Sequence, residues 1–268
     1  MRLFLSGLRK LVRRPATYVT FGLLAGLLVL IIMAVAATGG SGDDEDSANA
    51  LSIVKFPGAY DAILAFILGL GGLFAVVYGA AVAGSEWTWG TLKTVVARGE
   101  SRSRYMLATF AAIAVVTAAA LLVSFAVGVG AAAVGAALAG VPLDGIGNSA
   151  ALGRLPEHFA RGYIAIVMEG AIGFAVATLA RSQLAGIGAG IALYFGEGFA
   201  SIFLPDIIKY LPFDLATAAL GPSSFGGGGG PTPAEPLSAD FALLLVAVWL
   251  VGSLVVAAGF TERAEITG

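Results

Sequence analysis

Glu169 and Glu197 stand where a carboxylate is expensive: they lie in consecutive apolar runs joined only by Arg181-Ser-Gln183. Read as antiparallel helices, the runs place them about 12 and 14 residues from that joint, or roughly 18 and 21 Å deep. An ionisable side chain at such depth is rare, turns toward protein or water, and marks a path for an ion, a proton or a polar substrate. The structural alternative is that each is protonated or hydrogen-bonded to a neighbour such as Tyr163 or Tyr194, and simply holds helices together.

A second group has the chemistry of a contact rather than of a reaction. Residues 84 to 104 form a polar island between two long apolar runs, and Lys93, Arg98, Arg102 and Arg104 assign it to the cytoplasmic side, where short basic loops are retained. Ser85 is expected to cap a helix that begins at Glu86, whose carboxylate suits the positive helix end, and Gly99 to close it. The helix expected over 85–98 makes about three turns and puts Trp89, Leu92 and Val96 on one apolar side. Glu86 can also pair with a basic residue on a partner or on residues 1 to 14. On its own this pattern describes a short amphipathic helix lying at the membrane surface.

The rest of the chain carries no reactive constellation. No G-x-x-x-x-G-K-[ST] loop is present, so ATP binding in the P-loop manner belongs to another subunit if it occurs at all. Cysteine is absent, which removes disulfides, thiolate metal sites and a cysteine nucleophile. His158 is the single histidine and stands at the outer start of a span, where an interfacial role suits it better than metal ligation. The sequence therefore predicts a non-enzymatic chain with no catalytic, cofactor-binding or metal-binding residue of its own.

Such residues need a scaffold, and composition decides its solvent. A chain that is 58% hydrophobic and 12% charged, with a mean hydropathy of +0.92, cannot bury its apolar surface in one soluble core. An all-α integral membrane domain over 1–268 is expected, with spans at 16–37, 59–83, 105–128, 158–180, 184–204 and 239–260. The glycine-spaced stretch from Gly128 to Gly140 reads as a broken or re-entrant continuation of the third span. Residues 1–15 read as an interfacial amphipathic helix, with Phe4, Leu8 and Leu11 opposite Arg2, Arg9 and Arg13. A cleavable secretory signal is the competing reading of this start, but its basic region and apolar stretch are both too long. Residues 221–238 form a Gly/Pro-rich outer linker. Gly22-x-x-x-Gly26 and Gly186-x-x-x-Gly190 are expected to be close-packing faces.

Charge placement sets the orientation. With both termini inside, Lys55, Arg154, Arg161 and Lys209 are the outer basic residues, and the other eleven of fifteen Lys and Arg are cytoplasmic. The acidic run Asp43-Asp44-Glu45-Asp46 then falls in the first outer loop.

Taken together, Glu86, Gly90-Thr91-Leu92-Lys93, Arg98-Gly99, Ser101-Arg102 and Tyr105 resemble the loop between the second and third spans of type-2 ABC exporter permeases, in particular the bacitracin and lantibiotic-export group. The likeness extends through the basic amphipathic start, the Leu179 to Ile187 turn, Leu211-Pro-Phe213 and the closing Phe260-x-x-Arg263. Thr109 stands where that group often carries Lys, and the tail reads Arg263-Ala-Glu-Ile266 rather than Arg-Asp-Ile.

The resemblance implies a type-2 permease fold in a bacterial inner or plasma membrane. It implies pairing with a second permease chain, identical or homologous, and docking on two ATP-binding subunits that hold ATP and Mg. It also implies that residues 85–98 act as a coupling helix, with Glu86, Trp87, Trp89, Gly90, Thr91, Leu92, Lys93 and Arg98 at the ATPase contact. No nucleic-acid partner is expected. Two other classes remain open at this point: an ion-coupled secondary transporter using Glu169 and Glu197, and a non-transporting membrane anchor or assembly protein.

Overall fold

A computed structural model describes residues 2–39, 51–221 and 235–264, and every regular element among them is helical. The acidic run Asp43 to Asp46, residues 222–234 of the Gly/Pro-rich linker, and the tail from residue 265 lie outside the described residues.

The first helix, α1 (Arg2–Val12), lies on α5 (Arg102–Leu138) with Gly7 and Leu11 buried and Arg2 and Arg9 exposed. The amphipathic expectation for residues 1–15 thus takes shape as a helix packed on protein along its apolar side. Helix α2 (Pro15–Gly39) buries one stripe, Leu24, Leu28, Ile32 and Ala36, at four-residue spacing, while Tyr18, Leu23 and Leu30 face outward. A single apolar stripe within an apolar helix is what lipid as solvent permits, since the outward face has no reason to be polar.

At the centre stand α3 (Gly58–Thr88) and α6 (Ser149–Ala180), the most extensively packed pair. Their backbones nearly touch: a Cβ at Gly79 would run into the Gly170 carbonyl, and one at Gly173 into the Val76 carbonyl. Only glycine permits that approach. Of the two faces anticipated from spacing, Gly186 and Gly190 pack against Ala177 and Val76, whereas Gly22 and Gly26 face open space within the chain.

Helix α5 corrects the reading of residues 128–140 as a broken continuation. It is one uninterrupted helix of 37 residues, started by Ser101, whose Oγ accepts from the Arg104 amide at 3.3 Å. Its glycines are contact points rather than breaks: Gly128 meets Ile63 and Leu28, and Gly135 meets Ala36 and Val54. Likewise α6 begins well before residue 158, capped by Asn148, whose Oδ1 accepts from the Ala151 amide at 2.9 Å, and carries Pro156 within it.

After Arg181 comes α7 (Gln183–Ala200), then the short helices α8 (Pro205–Ile208) and α9 (Pro212–Ala218), each opened by proline, and finally α10 (Ala239–Arg263). Among the described residues, five helices are long and apolar enough to cross a membrane: α2, α3, α5, α6 and α10. The protein is therefore a multi-pass membrane protein by its helices. The expected fifth span, 184–204, stops at Ala200 and gives way to a turn, leaving α7 with 18 residues, or roughly 27 Å against a hydrocarbon core of about 30 Å. Its buried residues are Gly186, Gly190 and Glu197, Ile187 and Tyr194 pack partly against the core, and Leu184, Leu193, Phe195 and Phe199 face outward.

Taken in order, α2, α3, α5, α6, α7 and α10 alternate in direction, so the bundle has two distinct ends. At one end gather α1, the close of α3, the start of α5, Arg181 and the close of α10: Arg102 donates to the Ala264 carbonyl at 2.6 Å, and the Arg181 guanidinium lies 5.1 Å from the Phe260 ring centroid. At the other end, Tyr60 donates to the Ile146 carbonyl at 2.6 Å, and Arg161 pairs with Asp240 at 2.6 Å and Glu157 at 3.0 Å.

Candidate functional site

The basic end is organised around one carboxylate. Glu86 belongs to the last turn of α3, not to the start of a separate helix, and its side chain is fully buried. Lys10 Nζ meets its Oε1 at 2.6 Å, Arg14 Nη2 stands 3.6 Å from the same oxygen, and the Tyr105 hydroxyl donates to Oε2 at 2.8 Å. A buried carboxylate is tolerated when cations and donors satisfy it, and here three elements supply them. Glu86 thereby ties α1, α3 and α5 into one unit.

Ser85 is equally occupied. It does not cap a helix: its hydroxyl donates to the Val82 carbonyl at 2.7 Å and accepts from Arg14 Nη1 at 3.0 Å. The helix expected over 85–98 is instead divided. Helix α3 continues through Thr88, Gly90 takes a left-handed conformation with φ of 64°, and a seven-residue helix, α4 (Thr91–Ala97), follows. That φ suits glycine, and the reversal it allows turns α4 away from the axis of α3.

The division sorts the expected contact residues into two sets. Glu86 and Trp87 point into the protein; Trp87 packs toward Phe260, with ring centroids 6.2 Å apart, and lies 5.5 Å below the Arg181 guanidinium. Leu92 and Val95 are buried and seat α4. Trp89, at 66% exposed, together with Lys93 and Arg98, faces outward. The anticipated apolar side of Trp89, Leu92 and Val96 is therefore not one face, because the helix breaks at Gly90 between Trp89 and Leu92. Arg14 lies 5.0 Å from the centroid of the Trp89 ring and steadies it from below. Thr91, Arg98, Lys10 and Tyr105 line a groove between α1 and α4.

Lys10, Arg14, Tyr105 and Arg181 are the residues of this end to which residue spacing assigned no individual role. Their partners lie far along the chain, so no local pattern reveals them. The only hint was the suitability of Glu86 for a basic residue somewhere within 1–14, which Lys10 and Arg14 satisfy.

Glu169 and Glu197 do share a cavity. They are 3% and 8% exposed and line a space of about 430 Å³ between α3, α6, α7 and α9. Neither tyrosine that sequence offered as a partner is bonded to them: Tyr194 donates to the Gly69 carbonyl at 2.7 Å, and Tyr163 to the Ala114 carbonyl at 3.2 Å. Glu197 Oε1 accepts from the Asp214 amide at 2.7 Å, whereas Glu169 Oε2 is buried with no hydrogen-bond partner. Asp214, from α9, adds a third carboxyl to the lining, and burial raises it above the usual carboxylate range. It immediately follows the Leu211-Pro-Phe213 segment, which sequence had marked without assigning Asp214 a part.

His158 is half-buried beside Asp61 and Leu64. No group of three or more metal-ligating His, Asp or Glu side chains occurs among the described residues.

Compared with known proteins, the chain matches over residues 27–266 the profile of DUF2705, a family described as proteins of unknown function. No curated protein matches it.

Proposed function

The chain belongs to the DUF2705 family, and from the form of its basic end we propose that it is the membrane-spanning permease subunit of an ATP-driven exporter. In this reading it has a type-2 permease fold in which α7 crosses as well, as the fifth of six crossings. It pairs with a second permease chain, and the two dock on two ATP-binding subunits that hold ATP and Mg.

One observation carries the proposal. Helix α4 projects between the second and third long helices and is seated by Leu92 and Val95, while the adjoining Glu86 knot fastens α1, α3 and α5 together. A stroke delivered to the exposed face, Trp89, Lys93 and Arg98, reaches all three helices at once. A flexible loop would absorb it. Lys10, Arg14, Arg102 and Arg181 at this end favour the cytoplasmic side, with both chain termini on that side of a bacterial inner membrane.

The proposal is tested by purifying the tagged chain from its native membrane and identifying what stays bound. An ATP-binding subunit with a G-x-x-x-x-G-K-[ST] loop is expected, with ATP hydrolysis in the recovered complex. Recovery of the intact chain with no such subunit removes the exporter reading.

Orientation has its own test in this cysteine-free chain. Thr94→Cys and Ser149→Cys place thiols at exposed positions on opposite ends of the bundle. An impermeant thiol reagent applied to intact cells is expected to label the second and not the first. The reverse pattern inverts the topology.

The ion-coupled alternative draws on the shared cavity of Glu169 and Glu197. It predicts a chain that transports without any ATP-binding partner.

A further inference from the structure

Three carboxyl groups, Glu169, Glu197 and Asp214, line one cavity, and none of its lining residues is Lys, Arg or His. Acidic residues gathered in one place have many explanations. The state of Glu169 narrows them. Its side chain is 3% exposed, it lines the space, and its Oε2 has no partner. The hydroxyl donors of the lining are committed elsewhere, Tyr194 to the Gly69 carbonyl and Thr217 to the Asp214 carbonyl. A buried carboxyl group to which the protein gives no donor is unfavourable unless something in the cavity that it lines supplies one.

The walls indicate what enters. Leu68, Ile166, Phe213 and Leu220 give the space an apolar surface, and the Tyr194 and Phe213 rings stand edge to face with centroids 5.1 Å apart. A Ca2+ or Mg2+ ion takes six or more oxygens drawn tightly around it. No group of three or more His, Asp or Glu side chains that could hold a metal occurs among the described residues, so these carboxyls do not form such a shell. A volume of about 430 Å³ is instead in the range that encloses a small organic molecule, and aromatic rings add favourable contact with a cation.

We infer that the cavity between α3, α6, α7 and α9 binds an organic monocation, an ammonium group carried on a compact apolar body. The ammonium donates to the Glu169 carboxylate where that residue lines the cavity, the Glu197 and Asp214 carboxyls stand beside it, and the apolar body lies against Phe213, Leu68 and Ile166. Glu169 makes the decisive contact, because it is the carboxylate whose hydrogen bonding the protein leaves incomplete. The inference concerns this chain alone and holds whether or not an ATP-binding partner drives the protein.

The test uses the purified full-length chain in lipid nanodiscs, with tritiated 1-adamantylammonium as probe and 1-adamantanol as its uncharged counterpart. Saturable binding of the ammonium is expected, with the alcohol weaker by about tenfold or more, the scale of a hydrogen bond to a charged group. Glu169→Gln is expected to weaken the ammonium by a similar factor, and Asp144→Asn, an exposed acid outside the cavity, to leave it unchanged. Equal affinity for ammonium and alcohol overturns the inference. So does wild-type affinity in Glu169→Gln, or the absence of saturable binding above empty nanodiscs, which would leave the cavity to a proton or a bare ion. If Glu169→Gln does not fold, Glu197→Gln and the contrast between the two probes still decide.

Discussion

Replacing Glu86 by alanine lowers the stability of the protein by about 3 kcal/mol or more, the scale of breaking a buried ion pair from one side. The loss is not the attraction alone. Lys10 and Arg14 remain beside an apolar space, and the Tyr105 hydroxyl loses its acceptor. Lys10 is 32% exposed and turns partly to water, which holds the cost toward the lower end of that range. Glu86→Gln keeps an acceptor for Tyr105 and costs less than Glu86→Ala. Lys10→Ala costs less again, because Arg14 stays within reach. Thermal unfolding of the purified variants gives the order, and protease cleavage within Arg2–Val12 reports whether α1 has come away. An unchanged midpoint for Glu86→Ala would mean that the basic end is held by packing and not by this carboxylate.

Trp89→Ala is expected to do the opposite: to leave the fold intact and weaken the partner. The side chain is 66% exposed, so its removal takes little from the interior. Its position beside α4, braced by Arg14 at 5.0 Å, is that of an aromatic anchor presented to another protein. Truncating such an anchor costs about 2 kcal/mol, or roughly thirtyfold in affinity for the ATP-binding subunit. The measurement is the dissociation constant of that complex, taken together with the unfolding midpoint. Loss of affinity at an unchanged midpoint is the expected pair of results. Wild-type affinity would place the contact elsewhere on the chain.

Hydropathy made the long helices readable, because a span of apolar residues has few other uses. It located α2, α3 and α10 to within a few residues; it stopped short of the far end of α5 and the start of α6 and ran past the end of α7, for a physical reason. In lipid, the face toward protein and the face toward hydrocarbon are both apolar, so periodicity does not show which residues touch. Gly128 and Gly135 read as breaks when they are contacts with Ile63 and Ala36. Gly79 and Gly173, where α3 and α6 come closest, carried no signal beyond being glycines. The site was legible in its residue types and not in its joints. Glu86 drew attention as a helix start and proved to be a buried clasp, because its partners, Lys10 and Tyr105, belong to other helices. The shared cavity of Glu169 and Glu197 followed from the antiparallel pairing of two runs. Asp214 did not, since only the return of α9 brings it there.

The uninterrupted course of α5 has a mechanical consequence. Its 37 residues span roughly 55 Å, nearly twice the hydrocarbon thickness, and contain no proline at which to bend. Its far half is gripped by Leu28, Ile63, Ala36 and Val54, and its near end carries Tyr105 and the Glu86 clasp. A rod held in this way is a lever. Tilting it by about 10° about its midpoint carries each tip sideways by roughly 5 Å, in opposite directions. A small push at the basic end is thereby returned, undiminished and reversed in sense, at the opposite end of the bundle.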